Sequence, residues 1–166
     1  GGTRNRMRIW SDDFENGEMI PEQFTCDGED ISPHLAWSDM PERTKSLAII
    51  MEDPDAPGGT FTHWMVHGID PEVREKPRAS ATSWGREVEN DFGKAAYGGP
   101  CPPEGTHRYF FRLCALDVED LDEDLDEDAG EEMNKAVFHR ELAKHKLDEA
   151  TLAGVYMRRA QREAQG

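Results

Sequence analysis

Ser46-Leu47-Ala48-Ile49-Ile50-Met51, entered from Lys45 and closed by Asp53-Pro54, most restricts what this chain can become. An unbroken apolar run this short does not alternate between core and solvent, so it reads as a strand buried on both faces. Around it the text is β-like. Asn16-Gly17, Ile20-Pro21, Asp27-Gly28 and Ser32-Pro33 interrupt residues 10–38 every few positions, which suits short strands and loops rather than helices. Phe61 to Ile69 reads as a second strand. Arg108 to Leu116 reads as a third, with Tyr109, Phe111, Leu113 and Ala115 on one face and Phe110, Arg112, Cys114 and Leu116 on the other. Extended backwards, it places His107 on the Tyr109 face. Thr151 to Met157 closes the set.

One amphipathic helix is predicted over Glu131 to Lys146. Met133, Ala136, Val137, Leu142 and Ala143 fall near one stripe, and Lys144, His145 and Lys146 sit at the end that the helix dipole favours for cations. Glu72 to Asn90, Trp84 included, reads as a long surface loop. The expectation is a mainly β chain with a single domain over residues 7–158. Residues 1–6 read as a disordered tail or cloning remnant, and residues 159–166 as a charged C-terminal tail. No repeat or long linker divides the 166 residues.

Charge removes several function classes. Thirty-five Asp and Glu face 19 Lys and Arg, a formal charge of −16. Such a field repels phosphate backbones and anionic lipid surfaces, which argues against nucleic-acid or peripheral-membrane binding. No stretch approaches the roughly 18 apolar residues of a membrane span, and no apolar secretory core opens the chain, so a cytoplasmic location without integral membrane association is expected. Among the cations, 13 Arg stand against 6 Lys. Abundant carboxylate with little lysine fits a protein kept hydrated in concentrated salt, and a halophilic source is the hypothesis. Cys26, Cys101 and Cys114 are odd in number and share no C-x-x-C spacing, so a reducing cytoplasm with three free thiols is expected. A single bridge, Cys26–Cys101 or another, stays open.

Three clusters could carry chemistry. Asp53-Pro54-Asp55-Ala56-Pro57-Gly58-Gly59 follows the apolar strand, and its prolines and glycines make a rigid, sharply turned loop with carboxylates where the chain leaves the sheet. His63 and Trp64 lie in the next strand, where alternation sends them to opposite faces. His63 and His67 have zinc-like H-x-x-x-H spacing, but in a strand they lie about 13 Å apart, beyond one ion's reach. His34, in a loop after Pro33, reads equally as a satisfied structural group or a ligand. The third cluster is Tyr97-Gly98-Gly99-Pro100-Cys101-Pro102-Pro103, followed by His107-Arg108-Tyr109. Its glycines allow close backbone approach, and His107 with Tyr109 stand side by side, a receptor for a phosphate-like anion. Eleven of the sixteen residues from Asp117 to Glu132 are acidic. This reads as a solvated turn and helix entrance, because registers from Asp120 or Asp122 lack the sixth-position glycine of a calcium-binding EF-hand loop, and the one from Asp122 also lacks the twelfth-position glutamate.

Ser32-Pro33-His34-Leu35-Ala36-Trp37, Asp53-Pro54-Asp55-Ala56-Pro57, His63-Trp64, Asp91-Phe92-Gly93-Lys94, Tyr97-Gly98-Gly99-Pro100 with Pro102-Pro103, and His107-Arg108-Tyr109 together resemble the phosphatidylethanolamine-binding protein family. The branch that it looks most like is the bacterial and archaeal, Raf-kinase-inhibitor-like one, over about residues 7–157. The resemblance implies a β-sandwich of two antiparallel sheets with a small C-terminal helical element and an anion pocket at one end. Asp53, Pro57, His63, Gly99, Pro100, Cys101, Pro102, His107 and Tyr109 would line or bound that pocket, with the Cys101 N–H as a backbone donor. It also implies a small phosphorylated or carboxylate ligand, without cofactor or metal, and a role in regulating a kinase or protease. The helix that gates the pocket in animal members has no evident counterpart in this sequence.

Two other readings compete. A Cys–His–Asp hydrolase or transferase would use Cys101, His63 and Asp53, although Pro100, Pro102 and Pro103 supply no N–H for an oxyanion hole. A protein-interaction module would instead use the acidic helix entrance to meet a basic partner.

Overall fold

The computed structural model describes residues 6–80 and 82–166. All but the last residue of the expected N-terminal tail lies outside the described residues. Eight strands form two antiparallel sheets. The smaller joins β1 (Arg8–Trp10), β2 (Leu35–Ser38) and β5 (Glu75–Lys76) in the order β1-β2-β5. The larger joins β3 (Ser46–Asp53), β4 (Phe61–Ile69), β6 (Arg86–Glu87), β7 (His107–Leu116) and β8 (Lys146–Tyr156) in the order β6-β4-β3-β7-β8.

β3 occupies the centre of the larger sheet, and its apolar run divides as a doubly covered strand must. Leu47, Ile49 and Met51 enter the main core with Trp37, Phe111 and Tyr109, while Ala48 and Ile50 enter a second core with Cys114, Phe138 and Leu142. The first core lies between the sheets. The second lies beneath α1 (Lys135–His145), which starts where the Asn134 side chain accepts a hydrogen bond from Val137 N at 2.9 Å. α1 is shorter than its sequence pattern predicts, and its buried stripe is Val137, Phe138, Glu141 and Leu142. Ala136 and Ala143 are exposed, because bulky Phe138 turns the helix toward the sheet and carries a glutamate into the interior.

Three expectations are corrected by the tertiary structure. Glu72 to Asn90 is not a plain surface loop: it supplies β5, β6 and a 3-10 turn at Thr82–Trp84, and it buries Lys76 beneath the Trp64 ring. Burial lowers the Lys76 ammonium pKa to about 8, and its Nζ donates to Ser32 Oγ at 2.9 Å. Residues 159–165 are not a tail but a helix, α2 (Arg159–Gln165). It is tied down by Asp27, whose carboxylate accepts from Tyr156 Oη at 2.6 Å and from Arg159 N at 2.9 Å, and by an Arg162–Glu22 ion pair. Two of the thiols are not free, since Cys26 and Cys101 form a disulfide and only Cys114 remains, buried. That bridge removes the thiol argument for a reducing compartment. Among the described residues, no helix is long and apolar enough to cross a membrane.

Candidate functional site

A cavity of about 230 Å³ opens at the end of the sandwich where β3 ends and β4 and β7 begin, beside the loops that enter and leave these strands. Asp53, Pro57, His63, Cys101, Pro102, His107 and Tyr109, seven of the nine residues expected from sequence, line it. Gly99 and Pro100 stand behind the wall. Gly99 N donates to Asp30 Oδ1 at 2.7 Å, and any side chain at Gly99 would strike the Phe24 carbonyl. Pro100 O accepts from Cys26 N at 3.1 Å, beside the disulfide that pins the same loop. Their role is to shape the wall.

His63 reaches the cavity through an irregularity of the ladder. Met51 pairs with Trp64 and Glu52 with Thr62, so His63 is an extra residue on β4. Such a bulge turns two successive side chains to one side of the sheet. His63 and Trp64 therefore do not alternate as the sequence predicts: both face the inter-sheet side, His63 against Tyr109 at 5.3 Å between ring centroids and Trp64 against Tyr97 at 5.5 Å. His67 points the other way and bonds Asp120, next to the second core. The two histidines thus face opposite sides of the sheet and cannot share one ion. His34 proves structural, with its ring held by Asp12 N and Glu75.

The imidazoles are oriented by the protein. His63 Nδ1–H donates to Gly98 O at 2.7 Å, and His107 Nδ1–H donates to Asp53 Oδ2 at 2.7 Å. In the neutral rings, the nitrogen left over is Nε2, an acceptor. Burial holds the His63 pKa below the usual imidazole value, against the pull of Gly98 O and Asp53. His63 thus becomes a donor toward an anion only when binding brings a proton with it. Asp53 is itself fixed, its Oδ1 accepting from Asp55 N at 2.8 Å.

Tyr109 is fully buried, and its hydroxyl has no hydrogen-bond partner among the described residues although it faces the Asp53 carboxylate and the Cys101 backbone. Burial, with Asp53 beside it, pushes the phenol pKa up, so it stays a neutral donor.

Sequence reasoning missed the aromatic side of the cavity, formed by Phe61 and Phe92 with their rings 4.7 Å apart. Asn90 delivers Phe92: its Nδ2 donates to His63 O at 2.9 Å and to Ala96 O at 2.8 Å, while its Oδ1 accepts from Phe92 N at 2.9 Å. Asn90 begins Asn-Asp-Phe-Gly, a turn signal that could have suggested this loop. At the rim, Arg108 pairs with Asp55 through two nitrogens at 3.0 and 2.8 Å, which cancels its charge and holds the Asp55 pKa down at about 2.

The Cys101–His63–Asp53 relay does not form. The Cys101 sulfur is bonded to Cys26, and the Asp53 carboxylate holds His107 instead of His63.

Comparison with known proteins gives concordant relatives. The model of the family described as "Phosphatidylethanolamine-binding protein" matches residues 10–157. A UPF0098 protein of Aquifex aeolicus is 54% identical over 121 residues, 69% of this chain and 71% of its own. One from Methanothermobacter thermautotrophicus is 43% identical over 92% of this chain and 99% of its own. The crystal structure of Escherichia coli YbcL, described as a new member of the mammalian PEBP family, superposes with a TM-score of 0.82 at 30% identity, covering 93% of this chain and all of that one.

Proposed function

The chain belongs to the phosphatidylethanolamine-binding protein family, and on that premise we propose that its end cavity binds a small phosphate- or carboxylate-bearing ligand. The observation that carries this reading is the Tyr109 hydroxyl. A fully buried donor without a protein partner costs free energy unless something in the cavity accepts from it. An anion oxygen there would accept from Tyr109 Oη, and from His63 Nε2 once binding brings that ring a proton.

The size of the space limits the ligand. About 230 Å³ falls below the roughly 300–1,000 Å³ of sites for drug-sized molecules, so a head group fits and acyl chains do not. Phosphoethanolamine suits both walls: its phosphate would lie on the histidine and tyrosine side, and its ammonium against Asp53 and the Phe61–Phe92 rings. The local donors make this compatible with a surface whose far field repels anions. In this reading the protein is a binding module, with no cofactor and no nucleic-acid partner.

Phe92, 46% exposed at the mouth, favours a second reading in which a protein such as a kinase or protease docks there and responds to pocket occupancy. Exchange of Phe92 for serine would then abolish partner capture even at saturating ligand. We read the acidic surface as an adaptation to concentrated salt. On that reading the melting temperature rises between 0.1 and 3 M KCl, and an unchanged melt would refute it.

The test of the main proposal is calorimetric titration of phosphoethanolamine and inorganic phosphate into the wild type and His63→Ala, at low and at multimolar salt. Saturable binding lost in the variant is the expected result. No binding at either salt overturns it.

A further inference from the structure

On the far side of the larger sheet, α1 turns a glutamate and a histidine one turn apart toward the acidic stretch that precedes it. Glu141 sits at a position where its helix faces the second core, and its side chain is 1% exposed. One carboxylate oxygen, Oε2, accepts from Arg140 Nε and Lys144 Nζ, each at 3.1 Å. The other, Oε1, is buried and has no hydrogen-bond partner among the described residues. His145 Nε2 is likewise buried without one. It lies 4.0 Å from Glu141 Oε1 and 3.2 Å from Asp124 Oδ2, and the three donor atoms all lie within 4.8 Å of one another.

The opposite edge of the imidazole fixes what Nε2 offers. His145 Nδ1 lies 2.8 Å from Asp117 Oδ1, and an ionised carboxylate only accepts, so the ring proton sits on Nδ1. The Nε2 lone pair then converges with two carboxylate oxygens. Three acceptors facing one another repel unless a cation lies between them. A carboxylate that orients a histidine whose other nitrogen meets an ion is the usual second layer of a metal site.

We propose that Asp124, Glu141 and His145 bind one divalent transition-metal ion, with Asp117 orienting the histidine and water completing the coordination. One imidazole nitrogen and two carboxylate oxygens suit zinc, whereas calcium and magnesium take all-oxygen shells. Bonds of about 2.0–2.2 Å require donors about 3.0–3.5 Å apart. The 3.2 Å spacing already fits; the 4.0 Å gap between Glu141 Oε1 and His145 Nε2 closes by a small side-chain rotation on α1, and Asp124, whose side chain is 56% exposed on a turn, moves to meet them. Net negative charge from Asp117 to Glu132 raises the local cation concentration. The ion would clamp this stretch to α1. The geometry is unrelated to the EF-hand pattern that the sequence lacks, because two of its three protein ligands come from the helix.

The competing occupant is a second proton on His145 Nε2, and metal titration separates the two. Chelator-stripped protein is titrated with Zn²⁺ by calorimetry and with Co²⁺ by visible absorption, alongside Asp124→Asn, His145→Gln, Asp128→Asn and His63→Ala. Asp124 is exposed, so its variant tests the site without threatening the fold. The expected result is one equivalent of Zn²⁺, bound at least tenfold more weakly by Asp124→Asn and His145→Gln and unchanged in Asp128→Asn and His63→Ala. Zinc should also raise the melting temperature of the wild type and not that of Asp124→Asn. No saturable binding overturns the proposal. So does equal weakening by Asp128→Asn, which would mean diffuse attraction, or weakening confined to His63→Ala, which would place the ion in the end cavity.

Discussion

Exchange of Tyr109 for phenylalanine deletes one buried hydroxyl oxygen that makes no hydrogen bond among the described residues. The ring, buried among His63, His107 and the main core, keeps its contacts, and no internal hydrogen bond disappears because the hydroxyl makes none. Stability should therefore move by no more than about 1 kcal/mol, the scale of substitutions that break no buried network. Binding should behave differently. A hydrogen bond to a charged acceptor is worth about 1.5–3 kcal/mol, which corresponds to roughly a 10- to 150-fold loss of phosphate affinity at 1.4 kcal/mol per decade. The assays are urea melts followed by tryptophan fluorescence and phosphate titration by calorimetry, on the same preparations. Affinity within threefold of wild type, or a stability loss above about 2 kcal/mol, would refute the assignment of this hydroxyl to a ligand.

Three further outcomes are expected. Removing the Cys26–Cys101 bridge by a paired serine exchange frees a sequence separation of 75 residues, a loss of about 4 kcal/mol on the chain-entropy account, read from urea melts; a loss below about 1 kcal/mol would contradict it. Because burial depresses the His63 pKa below 6.5, the neutral ring's contribution to stability is present above that pH and declines as pH falls through the folded value. Sulfate, a dianion across this range, should bind more tightly as pH drops from 8 to 5, by no more than tenfold per unit for one proton, and calorimetry should find a flatter profile in His63→Gln. Asp27, held at about 2 against 3.8 by Tyr156, Arg159 N and Arg158 in spite of burial, contributes about 2 kcal/mol above pH 4. That contribution disappears as pH falls toward 2, and Asp27→Asn should lose it at pH 7, with earlier amide exchange in residues 159–165.

Much of this molecule is legible in local patterns. The run at Ser46–Met51, the alternation through Arg108–Leu116 and the turn residues between them each report the environment of a strand within a few neighbouring positions, and the strands formed where these patterns stand. The rigid loops at Asp53–Gly59 and Tyr97–Pro103, with His107 and Tyr109 on one face, were enough to mark most of the cavity lining. Their side chains reach the site from strand ends, where a period of two decides the direction.

What the sequence could not determine depends on partners distant along the chain. His63 turns into the cavity because β4 carries one extra residue between the Met51–Trp64 and Glu52–Thr62 pairs, a mismatch visible only when both strands are laid together. Phe92 reaches the cavity through Asn90, whose amide binds the backbone of another strand. The helix at residues 159–165 has too few residues to hold itself, and Asp27, 132 positions before Arg159, supplies the anchor. Glu141 is buried because Phe138 sets the rotation of α1 on the sheet, and the loop folded against it brings Asp117 and Asp124 to His145. Local patterning determined which elements this chain forms. Only the tertiary structure decided which side chains meet, because hydrogen bonds and charges act through space and sequence separation sets no limit on them.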